Sequence, residues 1–516
     1  LLNDSLGNQW ELVPIIGVYV VLPQLGGIGD NSTSNTDVII AALSTTMSKG
    51  LTLKVGAGTF IHGAISITAT NNNPIHIDLA GGTLKAEAIS VTALDIDGGS
   101  FRPSLSLVGP GKFDGTQLII NPGVASGTYL TLDNFDNLLV DNLMFDAGTL
   151  GNSKGDSAIV VGQCRRAIIN GNHFYGWDDH GVYFSGPAEG NTLLCEDVSI
   201  SNNVFYDLSG AIRLARQFSN FSVSNNIFRN VYNCVVAAGG NSNWNPGDSV
   251  SITGNVIEGC LSGAIDLRYF STGVAITGNL IYDWSGGASS SAITLRGVSK
   301  VSITGNTIIP KKYITGGLGC PSCLYIQSAT NDDLDPPDDE YLWVSDHITV
   351  VGNTFGVLES PSATGGRNAC IIDMTGEQSN IFSTNDFILD SNTEEYWFNV
   401  GGINGYFGDA RIFHAGNGGF GIGTSNPSAE LEVVGTLMAT NKGNTKDNMR
   451  MEALDGGNFY ESRTDPASAQ KTFINVTTDA NDTPPTGGVL DLAYQIRILG
   501  VDKVVISESG TRLLGL

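Results

Sequence analysis

Six consecutive residues, Tyr175-Gly176-Trp177-Asp178-Asp179-His180, put two carboxylates, an imidazole and two aromatic side chains into one short stretch of chain. Carboxylates and imidazole are the groups that trade protons most readily near neutral pH, so the stretch suits general acid–base work. Asp156, in Gly155-Asp156-Ser157, precedes the equivalent strand one repeat earlier. If the repeats stack, Asp156 and Asp179 lie one rung apart, about 5 Å, near the carboxylate spacing of a retaining glycosidase. Closely paired carboxylates also push one pKa upward, which supplies an acid and a base together. The expected catalytic groups are Asp156, Asp178, Asp179 and His180. The competing reading is that the three aspartates cap turns, a common use of Asp.

A second set of residues belongs to a recurring strand-length phrase: SAIVVGQ, HGVYFSG, GAIRLAR, NCVVAAG, GAIDLRY, SAITLRG and SCLYIQS. Its Ile and Leu positions should point inward and the residues between them outward. The outward positions read Val160, Tyr183, Arg213, Val236, Asp266 with Arg268, Thr294 with Arg296, and Tyr325 with Gln327. Aromatic planes stack on the CH faces of sugars and arginine forks grip carboxylates, so such a stripe suits a polysaccharide. With Arg216 beside it and Tyr175 and Trp177 at its entrance, the expected glycan contacts are Tyr175, Trp177, Tyr183, Arg213, Arg216, Asp266, Arg268, Arg296 and Tyr325. The plainer alternative pairs Asp266 with Arg296 one coil away in a surface salt bridge worth little.

Internal repeats specify what must hold these residues in line. The phrases LLVDNLMF, AIINGNHF, VSISNNVF, FSVSNNIF, VSITGNVI, VAITGNLI, VSITGNTI and ITVVGNTF place Asn at 142, 172, 203, 226, 255, 279, 306 and 353, with NIFSTNDF adding Asn385. Steps of 30, 31, 23, 29, 24, 27 and 47 residues separate the first eight. Each phrase alternates apolar and small polar residues, the pattern of a strand with one buried face. Such a step fits one turn of a right-handed parallel β-helix with two or three short strands per coil. The recurrent Asn is then an internal amide ladder that bonds coil to coil. Thr36 to Gly50 reads as an amphipathic helix with a polar start and a glycine stop, placed to cover the first coil. Beyond about residue 400 the phrase gives way to Gly-rich β hairpins. The expected division is 1–21 as an N-terminal segment, 22–400 as the β-helix, and 401–516 as a C-terminal β-rich domain.

Composition limits the partners. The chain has 516 residues with 26 Lys+Arg against 51 Asp+Glu, a formal charge of −25. Nucleic acid and anionic membranes both need clustered positive charge, so neither is expected as a partner. Glycine, 66 of 516 residues, is nearly twice the usual share of about 7%, and only 15% of residues are charged. That balance favours an all-β chain over long solvated helices. Seven cysteines include one lone pair, Cys320-Pro321-Ser322-Cys323, without a second pair or a histidine at zinc spacing. They are expected as small buried hydrophobes, with no metal and no cofactor. The acidic insertion NDDLDPPDDE, 331–340, lacks the glycine and terminal Glu of a calcium loop and reads as a solvated loop. The longest apolar run, Leu12 to Pro23, is too short to cross a bilayer. The start, Leu-Leu-Asn-Asp, carries no signal-peptide pattern, and its lack of Met suggests a sequence that begins inside a longer gene product.

Three resemblances add to this reading. Gly26-Gly27-Ile28-Gly29-Asp30, the helix, and the strand Leu51 to Phe60 resemble the opening of the pectate-lyase-like β-helix superfamily, with Asn31 and Val55-Gly56-Ala57-Gly58 departing from the usual form. Gly419 to Gly435, GFGIGTSNPSAELEVVG, is similar to the "G-I-G-T-x-x-P-x-x-x-L-x-V-x-G" phrase of phage tail fibres and tailspikes. Together they imply a trimeric tailspike on the virion that binds, and cuts, a host-surface polysaccharide, with other tail or baseplate proteins as partners. A non-catalytic adhesin or a structural tail fibre is the alternative. Finally, Y-G-W-D-D-H resembles the "Y-G-F-D-P-H" site of alginate-type C5 epimerases. That likeness implies Tyr175 and His180 as proton-transfer groups and Asp178 as their orienting partner, although Asp179 stands where that family has Pro. An epimerase or β-eliminating lyase follows from it as a further alternative.

Overall fold

The computed structural model describes residues 23–356 apart from residue 90 and 119–126, 149–155, 186–194, 216–218, 239–246, 285–290, 311–322 and 329–344, together with individual strands before and after them. One wound sheet of 36 strands makes up the larger unit, Leu1–Ala410. A single coil runs through Cys164–Asn170, His173–Tyr175 and His180–Phe184. Each of its three strands pairs in parallel with its counterparts in the coils before and after. Three parallel ladders result: ladder I contains His180–Phe184, ladder II contains Cys164–Asn170, and ladder III contains His173–Tyr175. Ladder pairing continues to Phe407–Gly408.

The corner from ladder II to ladder III explains the Asn phrase. Its first residue is left-handed in every described coil from Asn142 onward: Asn142, Gly171, Asn202, Asn225, Gly254, Gly278, Gly305 and Gly352 have φ between 56° and 67°. A Cβ is penalised there, so Gly or Asn fills every one of these corners. The next residue turns inward, and Asn172, Asn203, Asn226, Asn255, Asn279, Asn306 and Asn353 are all buried. In each step the amide donates to the next: Asn203 Nδ2 lies 3.0 Å from Asn226 Oδ1 and 2.9 Å from the Ile169 carbonyl, while the Asn203 main-chain N–H also reaches Asn226 Oδ1 at 2.9 Å. The same pattern runs on to Asn385. Asn142 is not part of it. It occupies the left-handed corner, and buried Leu143 takes the inward position, so LLVDNLMF aligns one residue later than the sequence suggested. The ladder starts where Leu143 N–H donates to Asn172 Oδ1 at 3.0 Å.

Beside the amides runs a column of buried rings. Phe113, Phe145, Phe174, Phe205 and Phe228 stack with centroids 5.0, 5.0, 4.8 and 5.0 Å apart, the spacing that parallel ladders impose. Both alanine and isoleucine of the recurring A-I-x-L phrase face the core, as in Ala158 with Ile159 and Ala211 with Ile212. Cys164, Cys195, Cys234, Cys260 and Cys323 are all buried. Cys320 and the acidic insertion 331–340 lie outside the described residues.

Helix Thr36–Lys49 covers the first coils and stops at Gly50, which is left-handed. Ile39 and Leu43 meet Leu53, Val55, Ile77 and Phe113 around one small apolar space. Asn35, ahead of the helix, does not cap it with its side chain. Its amide accepts from Ile28 N–H and donates to the Thr33 carbonyl, fixing the entering loop instead. The second unit, Arg411–Leu516, contains a seven-stranded antiparallel sheet in sequential order from Thr436–Asn441 to Gly510–Leu513. The phrase at 419–435 includes the parallel pair Phe420–Ile422 and Leu431–Val433.

Candidate functional site

The corner from ladder III to ladder I positions the acid–base residues. Trp177 turns into the core, and Asp178 and Asp179 follow at the surface, half-buried. Asp179 N–H and His180 N–H both donate to the Asp156 carbonyl, at 2.8 and 3.2 Å, so Asp156 sits one rung below them. Register agrees, since Ser157 pairs with His180 and His180 with Gly210.

His180 is only 7% exposed, yet it lies at the edge of an outward face. Room for its ring comes from Gly210 on the next coil, where a Cβ would stand 2.6 Å from His180 Cδ2. His180 Nδ1 is 2.8 Å from Asp179 Oδ2, but the two are out of line for a hydrogen bond, leaving that nitrogen without a directed partner. The contact is therefore electrostatic. Tyr183, three residues on, stacks against the imidazole at 5.4 Å and 29°. Arg213 lies over the other part of this cluster, its guanidinium carbon 5.5 Å from the Tyr183 ring centre. Asp179, His180, Tyr183 and Arg213 thus form one contiguous group.

Along ladder I the outward positions fall into register as Val160, Tyr183, Arg213, Val236, Asp266, Thr294 and Tyr325. A second column runs Arg268, Arg296, Gln327. Asp266 does not pair with Arg296. It is forked by Arg268 on its own strand, Nε to Oδ1 at 3.0 Å and Nη2 to Oδ2 at 2.5 Å. Tyr325 donates its hydroxyl to Gln327 Oε1 at 3.1 Å.

Two expected contacts stand elsewhere. Trp177 is wholly buried and donates Nε1–H to the Phe145 carbonyl at 3.3 Å, so it cannot meet a sugar. The strand alternation breaks at this corner, and its large ring fills the core beside Tyr129. Tyr175 is on ladder III, around the corner from the stripe, and stacks on Tyr206 at 5.5 Å. Tyr206 itself is 43% exposed and was not anticipated. Arg216 lies outside the described residues.

Ladder I also carries a carboxylate group that sequence reasoning missed. Asp97 and Asp133 are register partners, and Asp95 lies two residues before Asp97 on the same face. Burial, aided by the charges of Asp97 and Asp95, holds the Asp133 carboxyl above its ordinary value, against the Gln163 N–H that bonds it. Asp97 stays well served, accepting from Gly99 N–H at 2.7 Å and Asn134 Nδ2 at 2.8 Å. The shared Asp in LDID and LTLD was the available signal, in coils where the Asn phrase is weakest.

Residues 125–245 match the family model of the right-handed β-helix region. No curated protein matches the sequence. Among solved structures the chain is similar to tailspike protein 3 of bacteriophage CBA120, at 15% identity over 96% of this chain and 68% of that one, TM-score 0.43. It is similar also to PfbA, a surface adhesin of Streptococcus pneumoniae, at 14% identity over 87% and 98%, TM-score 0.46. A third is the Family 28 exopolygalacturonase of Yersinia enterocolitica, at 12% over 73% and 77%, TM-score 0.45. These likenesses concern the course of the backbone only. The ladders, the inward amides and the family match together identify the stretch 125–245 as a right-handed parallel β-helix region.

Proposed function

We propose that the chain is a polysaccharide-binding spike of a phage tail and that it cuts the glycan it binds, the sugar chain lying along the outer face of ladder I. The observation that carries this reading is the placement of His180, an imidazole at the edge of that face, 2.8 Å from the Asp179 carboxylate and against the Tyr183 ring. A carboxylate at Nδ1 favours the tautomer that leaves Nε2 to take and return a proton, and it stabilises the imidazolium between those steps. Contacts of this kind are commonly out of line before substrate arrives and tighten when it binds. Asp156, one rung below, and Asp178, in the same turn, offer the carboxylate that a second acid, base or nucleophile role requires. Tyr183 and Tyr325, half-buried at outward positions, offer aromatic contacts to a sugar chain, and six ladder steps of about 4.8 Å between Val160 and Tyr325 give a track of about 29 Å.

Placement on a virion, beside other tail or baseplate proteins and in a homotrimer, is supported by the phrase at 419–435 on a chain that also carries a β-helix. β-Elimination from a uronate is the second reading, favoured by the contact of His180 with Tyr183, which puts two proton-transfer groups on one strand. Tyr175 does not take that role, because its ring faces Tyr206 on ladder III. Incubation with polysaccharide from the host surface, followed for reducing ends and for absorbance of unsaturated uronate, separates the outcomes. Reducing ends alone mean hydrolysis, and both signals mean elimination. Saturable binding with neither leaves an adhesin and removes the cleavage reading.

A further inference from the structure

Ladder III has an apolar outer face with no part in the cleavage site. Val204, Ile227, Val256 and Leu280 follow in register at its first outward position, and Tyr206, Arg229, Glu258 and Tyr282 at its second. Tyr206, Leu280 and Ile309 are exposed. Arg229 Nε donates to Glu258 Oε2 at 2.8 Å, so the two charges on this stretch cancel. Contiguous exposed apolar side chains of this kind mark an interaction surface. Ladder II, the adjoining face, is flatter. Ser199, Ser222, Ser251, Ala275 and Ser302 fill its first outward position, and Ser or Thr fills the second from Ser201 to Thr304. Among these described positions of ladder II none is charged. The chain passes from ladder II to ladder III in two residues in every coil from Asn142-Leu143 to Gly352-Asn353. Longer connections, such as 185–197 and 311–323, adjoin ladder I instead.

We infer that ladder III of one copy packs against ladder II of the next, with the corners between these ladders converging on a three-fold axis. The inference rests on the homotrimer proposed above and says which faces meet in it. Charge selects a second copy as the occupant. The chain carries a formal charge of −25, so copies repel one another wherever that charge is displayed. Ladders II and III are neutral over the same coils, so parallel copies meet coil for coil without that cost. Symmetry selects the pairing. A closed ring of three needs two different surfaces on each chain, whereas ladder III against ladder III would be a two-fold contact that leaves the third copy out. Small side chains on ladder II also let the larger Tyr206, Ile227 and Leu280 of a neighbour approach closely. In a three-sided coil ladder I lies opposite the corner between II and III, so this packing leaves the polysaccharide track open to solvent.

The test uses the full chain with Ser251→Cys on ladder II, Val256→Cys on ladder III and Val236→Cys on ladder I. Labelling by a polyethylene-glycol maleimide, counted above the parent chain's own thiols, should be at least tenfold slower at the first two than at the third. The double variant Ser251→Cys/Val256→Cys, treated with a short bismaleimide, should give covalent trimers that survive boiling in SDS. Covalent trimers need a cysteine on each ladder, because a single one joins no more than two chains. Ser222→Cys with Ile227→Cys repeats the measurement one coil lower should the first pair fail to fold. Equal labelling at all three positions, or no covalent trimer in a sample that light scattering shows to be trimeric, would overturn the assignment of faces and leave the trimer standing. A parent chain that scatters as a monomer removes the trimer and this packing together.

Discussion

Gly210 controls the geometry of His180 without belonging to the chemistry. A methyl there would stand 2.6 Å from His180 Cδ2 and 2.7 Å from the Asp179 carbonyl, so ring and main chain must move apart. Displacements of about 1 Å cost as much as 100-fold in rate, and Gly210→Ala should lower turnover at least tenfold while glycan binding persists. Unchanged turnover would place the reacting groups elsewhere. His62 is buried in the first coils, with Nδ1 2.7 Å from the Gly63 carbonyl and Nε2 2.9 Å from the Tyr129 hydroxyl. Burial holds this imidazole below its ordinary value of 6.5, so the unfolded chain takes up a proton first as pH falls. Stability is full above about pH 6.5 and declines below it, by at most about 1.4 kcal/mol per pH unit for one proton. Denaturant unfolding between pH 7.5 and 5 should show this slope, and His62→Phe should flatten it. Residue types were readable at this scale and partnerships were not. The sequence placed Asp179 and His180 side by side, but Gly210, 30 residues on, makes the seat for the ring. Trp177 was expected at the entrance of the stripe with Tyr175, but at this corner its ring turns into the core beside Tyr129.

The corner between ladders II and III shows how a two-residue phrase specifies an element. Gly or Asn turns the chain through left-handed space, and the next Asn joins the buried amide ladder. Gly278 has φ 64° and open space around a built Cβ, so only its backbone conformation resists substitution. Gly278→Ala should cost about 1 kcal/mol and Gly278→Asn distinctly less. Substituting inside the ladder acts differently. Asn226→Leu should strand the Asn203 amide and main-chain N–H that now donate to it, costing about 1–3 kcal/mol for each donor left unpaired. Asn172→Leu should cost less, because the rung below is already Leu143 and loses only one N–H donor bond. Equal losses for the two would mean the amides do not act as a ladder. The repeats made these strands legible, since alternation and the Asn period agree over eight coils. The misplacement of Asn142 came from the same cue, because its phrase has Asp-Asn where the next seven have Gly-Asn or Asn-Asn. Asp97 and Asp133 escaped for want of any Asn to fix their register.

For the whole molecule, an open solenoid is expected to have its last coil covered, and the phrase at 419–435 supports chains that intertwine beyond it. The expected state is a parallel homotrimer that resists SDS, with slow unfolding because interchain strands must be undone. Light scattering at micromolar concentration should give three times the chain mass of 54.2 kDa, and a monomer there would remove the trimer. The fold class was readable along the chain because a solenoid repeats one local solution many times. Its activity was not, because a β-helix is a frame and the reacting groups are a few side chains set on it. The decisive measurement is release of reducing ends from host-surface polysaccharide by the parent chain, Asp179→Asn and His180→Gln, with binding of the same polysaccharide measured in parallel. The parent should release ends, while both variants bind normally and turn over at least 100-fold more slowly. Release by His180→Gln at the parent's rate, or no release by the parent, would contradict the account.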